Sequence, residues 1–352
     1  MKPVIYYDDA CLLHENAPGH PERPERVGAI MRRVTAGEYR PTPRVIAPSP
    51  AGRAEIERVH DAGYVDAIEA SARAGRTVFD ADTSANEHTF RAAMLTAGGA
   101  LEATRAVCSG EAVRPFVVMR PPGHHAERDR AMGFCVFNHA AVAAADAIAG
   151  GLERVAIVDW DVHHGNGTEH VFADRDDVLY ISLHEYPHYP GTGRSVDVGR
   201  DAGAGYTVNV PLPAGSGLQE YLFAFDEVVL PVLDRYAPQL VIVSAGFDGH
   251  ADDPLADMLL DGSSYAAMTR RLLAAAERHA GGRIVHLLEG GYDLAGLVDG
   301  FGSVLGVLAD AAAVIDESDE SDERDGAVAP GAAEAIDGTK RSLEPWWDLD
   351  EV

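Results

Sequence analysis

Short, nearly continuous apolar runs alternate with longer amphipathic stretches along the chain as far as about residue 310. The runs at 4–7, 116–119, 155–158, 178–183, 206–210, 240–244 and 284–288 are rich in β-branched residues and carry no polar face. That is the pattern of strands buried on both sides. Helical periodicity fills 91–107, 140–149, 218–236 and 265–280. Strand–helix alternation predicts an α/β fold: a parallel sheet covered on both faces, with right-handed crossovers. No repeat of fixed period interrupts it, and one domain over residues 1–314 is expected.

The pattern stops near residue 314. DESDESDERD (316–325) has seven acids in ten residues. Such a block repels itself and stays solvated, so residues 315–352 are expected to form an acidic, disordered tail. The end of it, EPWWDLDEV (344–352), sits oddly with that, because Trp346 and Trp347 are costly to expose. They dock on the core or on a partner subunit, which leaves a homo-oligomer open.

Composition changes the picture mainly through charge. The chain of 352 residues has 29 Lys+Arg against 56 Asp+Glu, a net charge of −27. Lys2 and Lys340 are the only lysines. An acidic chain cannot bind nucleic acid by releasing counterions, and an anionic membrane surface repels it. The balance suits concentrated salt, where a Debye length of ~3 Å at ~1 M screens self-repulsion. Cys11, Cys108 and Cys135 are odd in number and far apart, which fits a reducing compartment. MKPVIYYDDA lacks the apolar core of a secretion signal, and no run is long enough to span a membrane. A cytoplasmic location is expected.

Four polar clusters follow directly on expected strands: RPPGHH (120–125), DWDVHHGNGT (159–168), AGFD (245–248) and EGGY (289–292). Ligands of open α/β sheets bind beyond the carboxyl ends of the strands. In extended geometry Asp161 and His163 point the same way, and Asp248 supplies a third ligand from a neighbouring strand. One imidazole and two carboxylates suit a divalent metal of borderline softness, and three protein ligands leave a position open for water. That is the layout of a catalytic zinc site. A DxH alone reads more simply as a capping Asp beside a satisfied His.

His124 and His125 are adjacent on a rigid Pro/Gly turn, and both rings need partners. Asp159 can hold one imidazole and Asn166 the other. A carboxylate raises imidazole basicity more than an amide does, so the two histidines are expected to differ in pKa. Tyr292, after Gly290 and Gly291, reads either as a surface tyrosine on a turn or as a donor to a developing oxyanion.

RPPGHH, GFCVFN (133–138), DWDVHHGNGT, SLHEYPHYPGTG (182–193), AGFD and LEGGY stand in the order seen in the histone deacetylase family, and the chain resembles that family from about residue 4 to 310. GHPERPERV (19–27) and DADTSANEHTF (80–90) are also similar. Asn166 and the DADT run point to its class II and acetylpolyamine-amidohydrolase side. The resemblance implies an arginase/deacetylase-like three-layer fold with an eight-stranded, mainly parallel sheet. It implies zinc-dependent hydrolysis of an N-acetylated amine, either acetyl-lysine in protein or an acetylpolyamine. By position, Asp161, His163 and Asp248 resemble the zinc ligands, His124 and His125 the paired histidines, and Tyr292 the oxyanion donor. The same likeness assigns Asp159 to His124 and Asn166 to His125, with His125 as base.

Gly133 and Phe134 resemble one wall of a narrow channel, and Tyr189 with His188 the other, where the family often has two phenylalanines. Asp82 resembles a rim acid that holds substrate. A structural potassium ion is implied near the zinc, through Asp159, Asp161, His163, Ser182 and Leu183. Rival expectations within the fold are a non-catalytic acyl-lysine binding module, which would lack the Tyr, and an acetoin-utilisation-type protein. An arginase-type two-metal site would need a further carboxylate where Gly165 stands.

Overall fold

The computed structural model describes residues 2–75, 77–310 and 326–349. Its strands are β1 (Val4–Tyr6), β2 (Arg44–Ile46), β3 (Thr77–Val78), β4 (Ser84–Ala85), β5 (Phe116–Val117), β6 (Val155–Asp159), β7 (Val178–Glu185), β8 (Thr207–Leu212), β9 (Leu240–Ala245) and β10 (Ile284–Leu288). Eight of them form one parallel sheet in the order β2-β1-β5-β10-β9-β6-β7-β8, and β3 and β4 pair separately as a small antiparallel ribbon. Every residue of β5, β6, β7, β9 and β10 is buried, which is why those runs carry no polar face. The expected strands are all present. The edge strand β2 has no signal in the sequence, because its three residues are largely exposed.

Helices cover the sheet on its two faces. Thr89–Ser109 and His139–Ala149 pack together and against β5, β6, β9 and β10. Gly262–Ala280 packs on Leu294–Ala309 and also against β9 and β10. The stretch read as one helix over 218–236 is helical throughout, with a π-helical turn at Phe225–Val229 between its two α-helical halves. Among the described residues, no helix is long and apolar enough to cross a membrane.

The C-terminal segment corrects the expectation of a disordered tail over 315–352. The acidic run 316–325 lies outside the described residues. Residues 330–349, however, return to the sheet. Pro330–Leu343 is a helix that buries Ala332, Ile336 and Leu343 and lies along β8. β8 is an edge, with unpaired backbone groups that need cover. Thr339 Oγ1 donates to the Asn209 carbonyl of β8 at 2.8 Å, and Lys340 pairs with Glu227 at 2.7 Å. Trp347 is buried on the Tyr206 ring, edge to face at 5.5 Å, and its indole N–H donates to the Gly205 carbonyl at 2.6 Å. Trp346 stays 43 % exposed. The acids dominate the local composition, but the apolar stripe of one helix and one indole outweighs them once an edge strand is there to receive it.

Replacing Trp347 with Ala should therefore destabilise the fold by about 3 kcal/mol, in the range for truncating a buried aromatic side chain. Chemical denaturation of the two proteins measures it. An unchanged midpoint would mean that the segment does not hold the β8 edge.

Candidate metal and catalytic site

The four polar clusters follow β5, β6, β9 and β10, and these are four consecutive strands of the sheet. Their carboxyl ends therefore deliver all four clusters to one place. Asp159 is the last residue of β6, and beyond it the chain turns instead of staying extended. Asp161 N–H donates to Asp159 Oδ1 at 3.1 Å, and His163 N–H donates to Asp161 Oδ1 at 2.9 Å. Two successive Asx turns thus bring Asp161 and His163 together, which corrects the extended i, i+2 geometry expected from spacing.

Asp161, His163 and Asp248 each present a ligand atom, all within 4.8 Å of one another, and all three are buried. His163 Nδ1 lies 3.2 Å from Asp161 Oδ1 and 3.0 Å from Asp248 Oδ2. The outer carboxylate atoms are held by backbone donors: Val162 N–H to Asp248 Oδ1 at 3.0 Å, and Gly290 N–H to Asp161 Oδ2 at 2.7 Å. Gly246 and Gly290 allow the approach, since a Cβ there would stand 2.1 Å from Asp161 Oδ2 and 1.9 Å from Asp248 Oδ2.

The electrostatics of the three groups call for a cation. Burial works against a charged His163, yet its hydrogen bonds to Asp161 and Asp248 push its pKa up to about 10. Burial and the charge of Asp161 push Asp248 up to about 7. Burial also acts against ionised Asp161, but His124 and His163 hold it below the usual carboxylate range. Two buried carboxylates facing one imidazole are stable only around shared positive charge. Hard oxygen donors with one borderline nitrogen fit a divalent ion.

His124 Nδ1 pairs with Asp159 Oδ2 at 3.0 Å, and Tyr180 donates to the same oxygen at 3.1 Å. His125 Nδ1 meets Asn166 Oδ1 at 2.8 Å. The partners divide as the resemblance implied, and the rings separate in acidity. Burial disfavours charge on both. For His124 the carboxylates of Asp161 and Asp159 outweigh burial and raise its pKa well above the ordinary value. For His125 burial is joined by the charges of His124 and His163, and its pKa is held well below.

A cavity of about 250 Å³ opens on these groups, lined by Asp82, His125, Gly133, Phe134, His163, His188, Tyr189, Leu255 and Tyr292. Phe134 (φ 67°) and Gly133 (φ 54°) both take the left-handed conformation, and a Cβ on Gly133 would stand 2.4 Å from His125 Cδ2. A side chain that strained persists where the surrounding structure holds it. Phe134 N–H donates to Thr83 Oγ1 at 3.0 Å, and His20 meets the Phe134 ring edge to face at 4.5 Å. Opposite, Tyr189 meets His125 edge to face at 5.1 Å, while His188 lies over His163 at 5.2 Å and contacts the Leu255 carbonyl at 2.9 Å. Tyr292 stands edge to face with Phe134 at 5.7 Å, and burial raises its pKa well above the usual tyrosine value, so it keeps its proton. Ser182 and Leu183 are buried on β7. Ser182 faces Asp159 across the β6–β7 pairing, and its hydroxyl is 2.9 Å from His184 Nδ1.

Several functional neighbours escaped the sequence reading. Glu289, inside the LEGGY motif, accepts from the backbone N–H groups of Gly123 (2.6 Å) and His124 (3.2 Å), which fixes the histidine turn. Burial pushes its pKa up to about 7 against the pull of His124. Arg26 donates to the Gly291 carbonyl at 2.6 Å and lies over the Tyr292 ring at 4.8 Å. It also pairs with Glu22, which Arg120 grips at 2.6 and 2.7 Å. The sequence shows these groups only as acids and bases within GHPERPERV, RPPGHH and LEGGY, and their burial comes from the fold. Leu255 had no signal.

The histone deacetylase domain model matches residues 20–308. A probable deacetylase of Archaeoglobus fulgidus is 40% identical over 298 residues, covering 84% of this chain and 83% of that protein. A histone deacetylase-like amidohydrolase of Pseudomonas aeruginosa is 41% identical over 310 residues, covering 83% and 82%. The crystal structure of the HDA15 HD domain superposes with a TM-score of 0.89 at 37% identity, covering 98% of this chain and 95% of that one.

Substituting Ala for Asp161, His163 or Asp248 should each reduce bound divalent metal to well below one ion per chain, because three protein ligands are the minimum of a tight open site. Elemental analysis of purified protein reads it. Stoichiometric metal in any of the three variants would remove that residue from the ligand set.

Proposed function

The chain belongs to the histone deacetylase family, and on that premise we propose that it is a zinc-dependent amidohydrolase that removes acetyl groups from primary amines, acetyl-lysine side chains and acetylpolyamines being the two substrate classes. The observation that carries this reading is that His163 of the Asp161–His163–Asp248 cluster, His125 of the histidine pair and a protonated Tyr292 line one cavity. Asp161, His163 and Asp248 would hold the zinc. When bound, zinc polarises the acetyl carbonyl and lowers the pKa of a water from 15.7 toward ~7.

The chain's own residues do the rest. Phe134 and Tyr189 form walls that admit a flat acetamide on a straight aliphatic chain, and they exclude bulk water around it. His125 Nδ1 is engaged by Asn166, so Nε2 is the atom that takes the proton from the attacking water and delivers it to the leaving amine. His124, paired with Asp159, remains charged and stabilises developing negative charge. The Tyr292 hydroxyl donates to the acetyl oxygen as it gains charge. Asp82, at the mouth, accepts from donor groups of the substrate. Asp159, Asp161, His163, Ser182 and Leu183 would hold a structural potassium ion.

Deacetylation of acetyl-lysine peptides and acetylpolyamines, assayed side by side in high potassium chloride, tests the reading. Turnover of either class that is lost on chelation and restored by zinc is expected; no turnover of either would overturn it.

Tyr292→Phe should retain zinc and KM while kcat falls by about 100-fold, the usual loss for one oxyanion donor. A near wild-type kcat would reduce Tyr292 to a wall residue.

His125→Ala should lose far more activity than His124→Ala, because one ring moves the proton and the other supplies charge. His125 must be neutral to act, so the acid limb of the pH–rate profile reports its protonation. Asn166→Asp places a carboxylate on its Nδ1 and raises its pKa, which moves that limb to higher pH. Equal losses from the two alanine variants, or an unmoved limb, would contradict the division.

A further inference from the structure

Asn166 opens the helix Asn166–Phe172, and His170, one turn on, shares its face. The carboxylate of Glu127, two residues after His125, sits between them. Asn166 Nδ2 donates to Glu127 Oε1. His170 Nδ1 donates to Oε1 and Oε2 at 2.8 and 2.9 Å. Glu127 is 8 % exposed, whereas the His170 side chain is half exposed. A buried carboxylate thus links the partner of His125 to an imidazole at the surface.

An asparagine side chain has nearly the same shape when its oxygen and nitrogen ends exchange by half a turn, and the two orientations impose opposite tautomers on His125. With Oδ1 toward the ring, Nδ1 carries the hydrogen and Nε2 offers a lone pair. With Nδ2 toward the ring, Nδ1 accepts, the hydrogen moves to Nε2, and that atom can no longer take a proton. An ionised carboxylate only accepts, so Glu127 can face only the nitrogen end of the amide.

We propose that Glu127 is a positioning residue that fixes the Asn166 amide with its oxygen toward His125, and so holds His125 in the tautomer whose Nε2 is free to act as base. His170 anchors Glu127 from outside: its hydrogen bond to that carboxylate outweighs burial and raises its pKa, so it is readily charged. A carboxylate in the Asn166 position would need no such lock, since both its ends accept. The amide needs one. The proposal rests on the assignment of His125 as base.

Glu127→Gln keeps the shape but offers either an oxygen or an amino group to Asn166, so the lock is lost. Its kcat should fall about 10-fold with KM and bound metal unchanged, the low end for a residue that orients a site group. The same change made on Asn166→Asp should cost nothing or raise kcat, because the tautomer is then set without Glu127 and a carboxylate–carboxylate repulsion is relieved. A tie that merely held the helix would give the same loss in both backgrounds, and that result, or a wild-type kcat for Glu127→Gln, would overturn the proposal. Imidazole ¹⁵N spectra of the unsubstituted protein supply a reading without any variant. An unprotonated Nε2 on neutral His125 is expected, and a protonated one overturns the lock. Substantial activity in His125→Ala would instead overturn the base assignment, while the nitrogen spectra still report whether the tautomer is held.

Discussion

Two carboxylates with no access to water, Asp161 and Asp248, face each other across a single imidazole at the end of a parallel sheet. Isolated buried charge is costly, and the surrounding chain is arranged to meet that cost. Backbone N–H groups of Val162, His163 and Gly290 take the carboxylate oxygens, and Gly246 and Gly290 keep side-chain atoms out of the space they need. What remains is a demand for positive charge between them, and a divalent ion held by the triad is the proposed source. The glycines of AGFD and LEGGY are therefore part of the electrostatics. They set how closely backbone dipoles approach the acids.

The same economy separates the two histidines. Their rings lie 4.0 Å apart between centroids and are both buried, so identical partners would leave them with similar acidity. Asp159 on one and Asn166 on the other breaks the symmetry with a single charge. Charge on His124 then opposes a second charge on His125, and each assignment reinforces the other. The amide carries a liability that a carboxylate lacks, because its ends can exchange, and the Glu127 carboxylate meets it from behind.

A buried ionic cluster ties the N-terminal segment to this centre. Glu22 is gripped by Arg120, which begins the histidine turn, and by Arg26, which reaches the carbonyl of Gly291 before Tyr292. Its pKa lies well below the ordinary value: burial opposes ionisation, but Arg120 and His14 outweigh it. Breaking one member would leave the others charged and unpaired, so the cluster fixes geometry more than it adds stability. Through it the tyrosine loop and the histidine turn share one anchor.

Much of this was legible in the sequence, for identifiable reasons. Strands buried on both faces must be apolar throughout, so β6, β7, β9 and β10 announced themselves, and the polar clusters after β5, β6, β9 and β10 marked a candidate ligand site. The types and spacing of Asp161, His163, Asp248 and the histidine pair pointed to a metal-assisted hydrolysis, because few other functions require them together. Short or exposed elements such as β2 left no trace, and the docking of Pro330–Leu343 was hidden by the acids before it, since local composition cannot register an edge strand more than a hundred residues upstream. The sequence lists the four clusters in the order of β5, β6, β9 and β10, whereas the sheet sets them side by side as β5, β10, β9 and β6. Which carboxylate meets which imidazole follows from that order, from two Asx turns and from the missing Cβ atoms. Residue types determined what this site can do. Only the packing of strands distant in sequence decided which atoms touch, because contact across a sheet depends on neighbours that no local pattern encodes.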